Sequence, residues 1–204
     1  MPPEEEIVVP FRAAEHLLGI ATHVRTTLLV SSLQSLRRRQ HFEDYQRHLP
    51  AERHAAVQSM IAGQWAPMEL GVAHYQACQA LRLTTAEMNL IGKEVGDRIE
   101  GTFLATMVRM AGRVGATPWT AMQQAGRLYE RIFRGGGGLS IVKAGPKEAR
   151  AHLVGVPLAG IPYFVVAMAG VFEVGAELFC SKAYAREVPG SRTPTRVALV
   201  IAWA

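Results

Sequence analysis

The sequence predicts an α+β fold: an N-terminal helical part packed on a C-terminal antiparallel sheet that is built as hairpin, helix, hairpin. Three observations carry this. Apolar residues recur at helical spacing through most of residues 16–134, with cap and proline signals between the runs. After the glycines Gly135, Gly136, Gly137 and Gly138 the period changes, and "LSIVKAG" and "EARAHLVG" read as strands around a turn at Ala144–Lys147. The C-terminus repeats that pattern, with "KAYAREV" and "TRVALVIAWA" flanking the turn Pro189-Gly190-Ser191. At 204 residues and 49 % apolar composition, the chain can bury a core as one domain over 1–204.

Each element follows from local chemistry. Residues 1–15 read as a loose leader. From His16 to Val30 the pattern fits helix and strand alike, because "GIATHVRTTLLV" is rich in β-branched residues. Leu33 and Leu36, then Phe42, Tyr45 and Leu49, predict two short helices. Pro50 opens another, with Val57, Met60 and Ile61 on one side. "GQWAP" at Gly63–Pro67 is a stop and restart. The next helix, Met68 to Leu81, places Leu70, Ala73, Ala77 and Leu81 together. Thr84 and Glu87 form a capping box for the helix that follows. Around 97–114 the small residues Gly101, Ala105, Ala111 and Gly112 predict close approach of another element. Thr117-Pro118 starts a helix to about Phe133, with Arg127, Arg131 and Arg134 on one face near its C-terminus, where cations suit the helix dipole. A helix from Pro162 to about Cys180 joins the two hairpins.

The stretch 153–172 has no charged residue, but Pro157 and Pro162 interrupt it, so a buried helix is predicted rather than a membrane span. Met1-Pro2-Pro3 followed by three glutamates has the wrong charge for a signal peptide. Cys78 and Cys180 make no disulfide framework, and a reducing, cytoplasmic setting is expected. The net charge of +5 is concentrated in one half: residues 101–204 hold 12 basic and 5 acidic side chains. No basic run is interleaved with aromatics, so nucleic-acid binding is not favoured. Arg37-Arg38-Arg39 reads as a solvated helix face.

The glycine run is not a phosphate loop. Such loops follow a strand and precede a helix, whose N-terminal N–H groups hold the anion. Here a helix precedes and a strand follows. Glycine is expected just past a helix end, but four exceed one cap, and Gly135–Gly138 are expected to form a mobile joint. His74 and Cys78, four apart, share a helix face, yet no second ligand pair accompanies them, and no metal is expected. Glu173 and Glu177 share a face too and read as exposed like charges; Cys180 reads as a buried thiol. No catalytic motif is present. Phe103, Met107, Met110, Trp119 and Met122 read either as core or as the lining of an apolar-ligand pocket.

In pattern and order nearly the whole chain resembles an uncharacterised paralogous family found mainly in myxobacteria. The resemblance lies in "VSSLQSLRRRQHFEDYQRHLPAERHAAVQSMIAGQWAPMEL", "IGKEVGDRIEGTFL", "GGGGLSIVKAGPKEARAHLVGVP" and the terminal helix and hairpin. More remotely, the architecture is similar to the 4-vinyl-reductase-type, TRAPP-subunit and heme–nitric-oxide-binding domains. That resemblance implies binding of small hydrophobic molecules or a role in protein assemblies. Its heme branch holds iron through a helical histidine; this chain has no histidine between His74 and His152, so no cofactor is expected. The expectation is therefore a non-enzymatic cytoplasmic domain that senses a small apolar ligand or binds a protein partner, with a homodimer as one such assembly. The alternatives are an enzyme without a recognisable motif and a nucleic-acid-associated protein acting through the basic half.

Overall fold

The computed structural model describes residues 6–111 and 116–204; for 99–111 it describes the backbone only. In chain order the elements are β1 (Glu6–Val9), β2 (His23–Arg25), α1 (Thr26–Arg38), α2 (Phe42–His48), α3 (His54–Gln58), β3 (Trp65–Pro67), α4 (Met68–Ala80) and α5 (Thr85–Ala111). There follow α6 (Pro118–Ile132), β4 (Phe133–Arg134), β5 (Gly138–Gly145), β6 (Glu148–Val154), α7 (Pro162–Glu177), β7 (Ala183–Glu187) and β8 (Arg196–Trp203). The α+β class stands, with hairpin, helix, hairpin at the C-terminus.

Five strands form an antiparallel sheet in the order β1-β5-β6-β8-β7. The hairpin β5–β6 runs from Gly138 opposite Val154 to Gly145 opposite Glu148. Along β6, Ala149, Ala151 and Leu153 are buried, which is the two-residue period of a sheet with one face on the core. Helices α6 and α7 pack on the sheet, and α5 packs on α7. Tyr163 and Phe164 at the start of α7 are fully buried, and Phe164 contributes about 1.5–3 kcal/mol by removal from water.

Residues 6–9 depart from the expected leader. They form the edge strand β1, with Ile7 opposite Val142 and Val9 opposite Ile141. Ser140 Oγ donates to the Val9 carbonyl at 2.9 Å, and Lys143 pairs with Glu6 at 2.8 Å. A four-residue strand has little periodicity of its own, and its partner lies far away in sequence. The ambiguous stretch also resolves into both readings: β2 is a strand, and Thr26 turns directly into α1. There Thr26 Oγ1 donates to the Ile61 carbonyl at 2.7 Å and accepts from the Gln64 N–H at 2.8 Å. A second small sheet, β3-β2-β4, draws on "GQWAP" and on the end of the arginine-bearing segment. The helix before the glycines thus ends at Ile132, and Phe133–Arg134 pair with Val24 and His23.

The capping box forms as predicted: the Glu87 N–H donates to Thr84 Oγ1 at 3.2 Å, and the Thr84 N–H donates to the Glu87 carboxylate at 3.0 Å. Close helix approach occurs on the earlier part of α5. A Cβ placed at Gly92 would lie 2.6 Å from the Ala167 carbonyl carbon, and one at Gly170 would lie 2.8 Å from the Lys93 nitrogen. Gly101, Ala105, Ala111 and Gly112 fall outside the residues whose side chains are described. Among the described residues no helix is long and apolar enough to cross a membrane; a 3-10 turn over Pro157–Gly160 breaks the uncharged stretch before α7 begins.

Candidate functional site

Two openings meet beside α6. The larger is a groove of about 470 Å³ between α6, the end of β1 and the glycine turn. Its walls include Val9, Pro10 and Arg12; Gly126, Arg127, Tyr129 and Glu130 of α6; and Phe133 through Leu139. The smaller is an apolar cleft of about 40 Å³ between α6, α7 and the sheet, bounded by Leu128, Ile132, Leu153, Met168, Phe172 and Leu199 among others. Tyr129, Phe133 and Leu139 line both, so the two adjoin.

The groove carries three arginines and one glutamate. Arg12 pairs with Glu130. Arg127 and Arg134 are exposed. Arg131, predicted to share their face, does not line the groove, and Arg134 lies past the helix end in β4. The Tyr129 hydroxyl donates to the Gly136 carbonyl at 2.8 Å, and burial pushes its pKa well above the ordinary range.

The four glycines have a steric reason. Gly135, Gly136 and Gly137 have φ of +89°, +157° and +70°, a region that side chains disfavour. A Cβ on Gly136 would lie 2.5 Å from the Ile20 carbonyl oxygen, and one on Gly137 would lie 2.8 Å from the Val154 carbonyl oxygen. The Gly137 N–H donates to the Gly19 carbonyl at 2.7 Å. Gly136 and Gly137 thus meet the backbone of other segments, while a Cβ at Gly135 would meet the Thr22 side chain and one at Gly138 those of Phe11 and Leu18.

His74 and Cys78 do share a buried face of α4, but as core. The Tyr45 hydroxyl lies 2.9 Å from His74 Nδ1, and Ser32 Oγ lies 3.0 Å from Nε2. A neutral imidazole has one donor and one acceptor nitrogen, so one hydroxyl donates and the other accepts. Burial lowers the His74 pKa to about 3 and pushes the Cys78 thiol well up. Among the described residues no group of His, Cys, Asp and Glu is arranged to hold a metal ion.

Glu173 corrects another expectation. It is 7 % exposed, pairs with Lys93 Nζ at 2.9 Å and accepts from the Ala185 N–H at 2.8 Å. Glu177 shares Lys93 at 3.3 Å and also pairs with Lys182. Burial works against the Lys93 ammonium, but the hydrogen bonds and charges of both glutamates outweigh it and hold its pKa above the ordinary value. The pair is a bracket between α5, α7 and β7. Cys180 is half-buried, its thiol donating to the Ala176 carbonyl at 3.2 Å. Of the arginine triplet, Arg37 and Arg38 are exposed, Arg37 over the Phe42 ring, while the half-buried Arg39 bonds Glu94 at 2.7 Å.

Of the five predicted pocket residues, Phe103, Met107 and Met110 lie outside the residues whose side chains are described. Met122 is buried in the core. Trp119 meets Trp203 edge-on at 4.8 Å and donates from Nε1 to the Pro146 carbonyl at 3.2 Å. Neither Trp119 nor Met122 lines the groove or the cleft. The residues that do, Tyr129, Phe133 and Leu139, flank the glycine run; the signal for them was the run itself beside Arg127 and Arg134.

Solved structures that share this architecture are H-NOX domains. The Fe(II) unliganded H-NOX protein from K. algicida superposes with a TM-score of 0.62 at 10 % identity, over 88 % of this chain and 96 % of that one. A mutant of the T. tengcongensis H-NOX gives 0.57 at 10 % identity, over 88 % and 97 %. An oxygen-binding H-NOX domain related to soluble guanylate cyclases gives 0.55 at 11 %, over 88 % and 94 %. The fold is H-NOX-like. No family model matches the sequence, and no curated protein matches it.

Proposed function

We propose that this chain is a non-catalytic, cytoplasmic sensor or interaction domain that takes a small ligand with apolar character. The observation that carries the reading is the groove along α6 beside the apolar cleft. A concave site of a few hundred Å³ with a few polar groups at its mouth is the usual form of a small-molecule site. The H-NOX-like fold supports it, since the solved neighbours include a domain that binds oxygen and belong to a family studied for heme distortion. Fold likeness alone assigns no ligand.

Heme itself does not fit the described residues. Heme iron is held by His, Cys, Met or Tyr. The groove is lined by no His, Cys or Met, and its one tyrosine is committed to the Gly136 carbonyl. The cleft offers Met168, but its 40 Å³ is little more than the space of one water-sized group, far too small for a macrocycle. Both ring nitrogens of His74 are engaged inside the core. Among the described residues, then, neither opening offers heme iron an axial ligand in a space that fits the macrocycle, and our reading is a ligand of another class.

A native mass spectrum of freshly purified protein tests the reading. The expected result is the chain mass plus a small molecule that is released on unfolding; doubling of the mass would add the homodimer. A spectrum of unliganded chain alone, unchanged after incubation with a lipid and metabolite extract, would overturn ligand sensing and leave interaction as the function.

A further inference from the structure

We propose that the groove binds a carboxylic acid with an apolar body, its carboxylate on Arg127 and Arg134 and its body against Tyr129, Phe133 and Leu139. This rests on the ligand-binding reading above and names the ligand class.

Charge is the first argument. Four charged side chains line the groove, and Arg12 and Glu130 satisfy each other. Arg127 has a neutral partner, the Gln124 amide oxygen at 3.3 Å. Arg134 sits 5.9 Å from the centre of the Trp65 ring, and Arg25 sits 5.0 Å from the same ring, so two cations share one indole. Among the described residues neither Arg127 nor Arg134 has a carboxylate partner. Two guanidinium forks without counter-ions at the mouth of a pocket match a carboxylate, whose two oxygens accept paired N–H donors.

Shape is the second. Behind the arginines the groove is bounded by Val9, Pro10, Tyr129, Phe133 and Leu139, and the last three also bound the cleft. A bare inorganic anion would leave that wall in water. A neutral apolar molecule would leave the arginines unused. The groove, at about 470 Å³, accommodates a small molecule, and the 40 Å³ cleft accepts only the tip of its apolar part. The Tyr129–Gly136 and Gly137–Gly19 hydrogen bonds hold the wall in place, so little ordering is needed on binding.

Calorimetric titration of the full chain with octanoate, octanol and inorganic phosphate tests this. Octanoate should bind at least about tenfold more tightly than octanol or phosphate, as expected for charge-assisted hydrogen bonds. The double variant Arg127→Gln, Arg134→Gln should lose about tenfold for octanoate and nothing for octanol. Both arginines are exposed, and an unchanged urea midpoint will show that the fold is kept. Octanol binding as well as octanoate would overturn the inference while leaving an apolar-ligand sensor. Phosphate binding as well as octanoate would overturn it in favour of a simple anion site. If none of the three bound while native mass spectrometry showed a co-purified molecule, the acid class would be wrong and the sensor reading would stand. If neither experiment showed a ligand, both would fall.

Discussion

Replacing Gly92 with alanine should destabilise the protein, while the same change four residues later, Gly96→Ala, should stabilise it. Both glycines lie on the face of α5 that meets α7. In an exposed helix interior either change would gain about 1 kcal/mol, because alanine loses less backbone entropy than glycine. At Gly96 the new methyl would lie 3.4 Å from the Val171 Cα and 3.6 Å from the Val174 Cβ, which is ordinary contact. The gain of about 0.5–1 kcal/mol therefore survives. At Gly92 the methyl would lie 2.6 Å from the Ala167 carbonyl carbon and 2.7 Å from its Cα. These are backbone atoms, and no side chain can rotate away. The Ala167 carbonyl oxygen is nearer still, so reaching ordinary contact would push the helices apart by more than about 1 Å. Overpacking of this kind costs about 1–3 kcal/mol. A rigid backbone on both sides puts Gly92 at the upper end, for a net loss of about 2 kcal/mol after the helix gain. Equilibrium urea unfolding at 25 °C measures both. In a thermal melt each 1 kcal/mol corresponds to about 2–4 °C for a chain of this size. A Gly92→Ala protein as stable as the parent, or the two variants shifting in the same direction, would refute the packing argument.

His74 should make stability fall between pH 6.5 and pH 5. Its folded pKa, about 3, lies below the unfolded value of 6.5, so the unfolded chain takes up the proton first, with a slope of up to about 1.4 kcal/mol per pH unit. Glu94 and Glu177, whose pKa values are lowered below 4.5 by hydrogen bonds and cations that outweigh their burial, add their losses only at lower pH. Urea midpoints across pH 5–6.5 should flatten in His74→Leu, and parallel curves for variant and parent would sink the assignment. Glu173→Gln removes the charge facing Lys93 while Glu177 still shares that ammonium, so the expected loss is about 1–3 kcal/mol, read by urea unfolding; a change below about 0.5 kcal/mol would mean that the bracket contributes little. Hemin added to the purified chain should give no sharp Soret band of an axially ligated iron, and appearance of one would overturn the exclusion of heme.

Much of the C-terminal half could be read directly. The strands around Pro146-Lys147 and Pro189-Gly190 are local features, set by alternation and by turn residues within about ten positions of one another. The Thr84–Glu87 cap is equally local, and it formed. What escaped were short elements whose only reason is a distant partner: β1 against β5, and the three short strands of the small sheet. Glu173 escaped for the same cause. Its spacing from Glu177 reads as a surface pair, and only the packing of α5 on α7 brings Lys93 against both.

By itself, then, the sequence determined the α+β class, the order of helices and hairpins, and the exclusion of a phosphate loop at Gly135–Gly138, because each depends on neighbouring residues and backbone preference. Only the tertiary structure decided that Gly136 and Gly137 lie against the backbone of other segments, that His74 is a core residue with both ring nitrogens engaged, and that Arg127 and Arg134 line one groove with Tyr129, Phe133 and Leu139. Those facts depend on distances between residues far apart in the chain, which local periodicity does not encode.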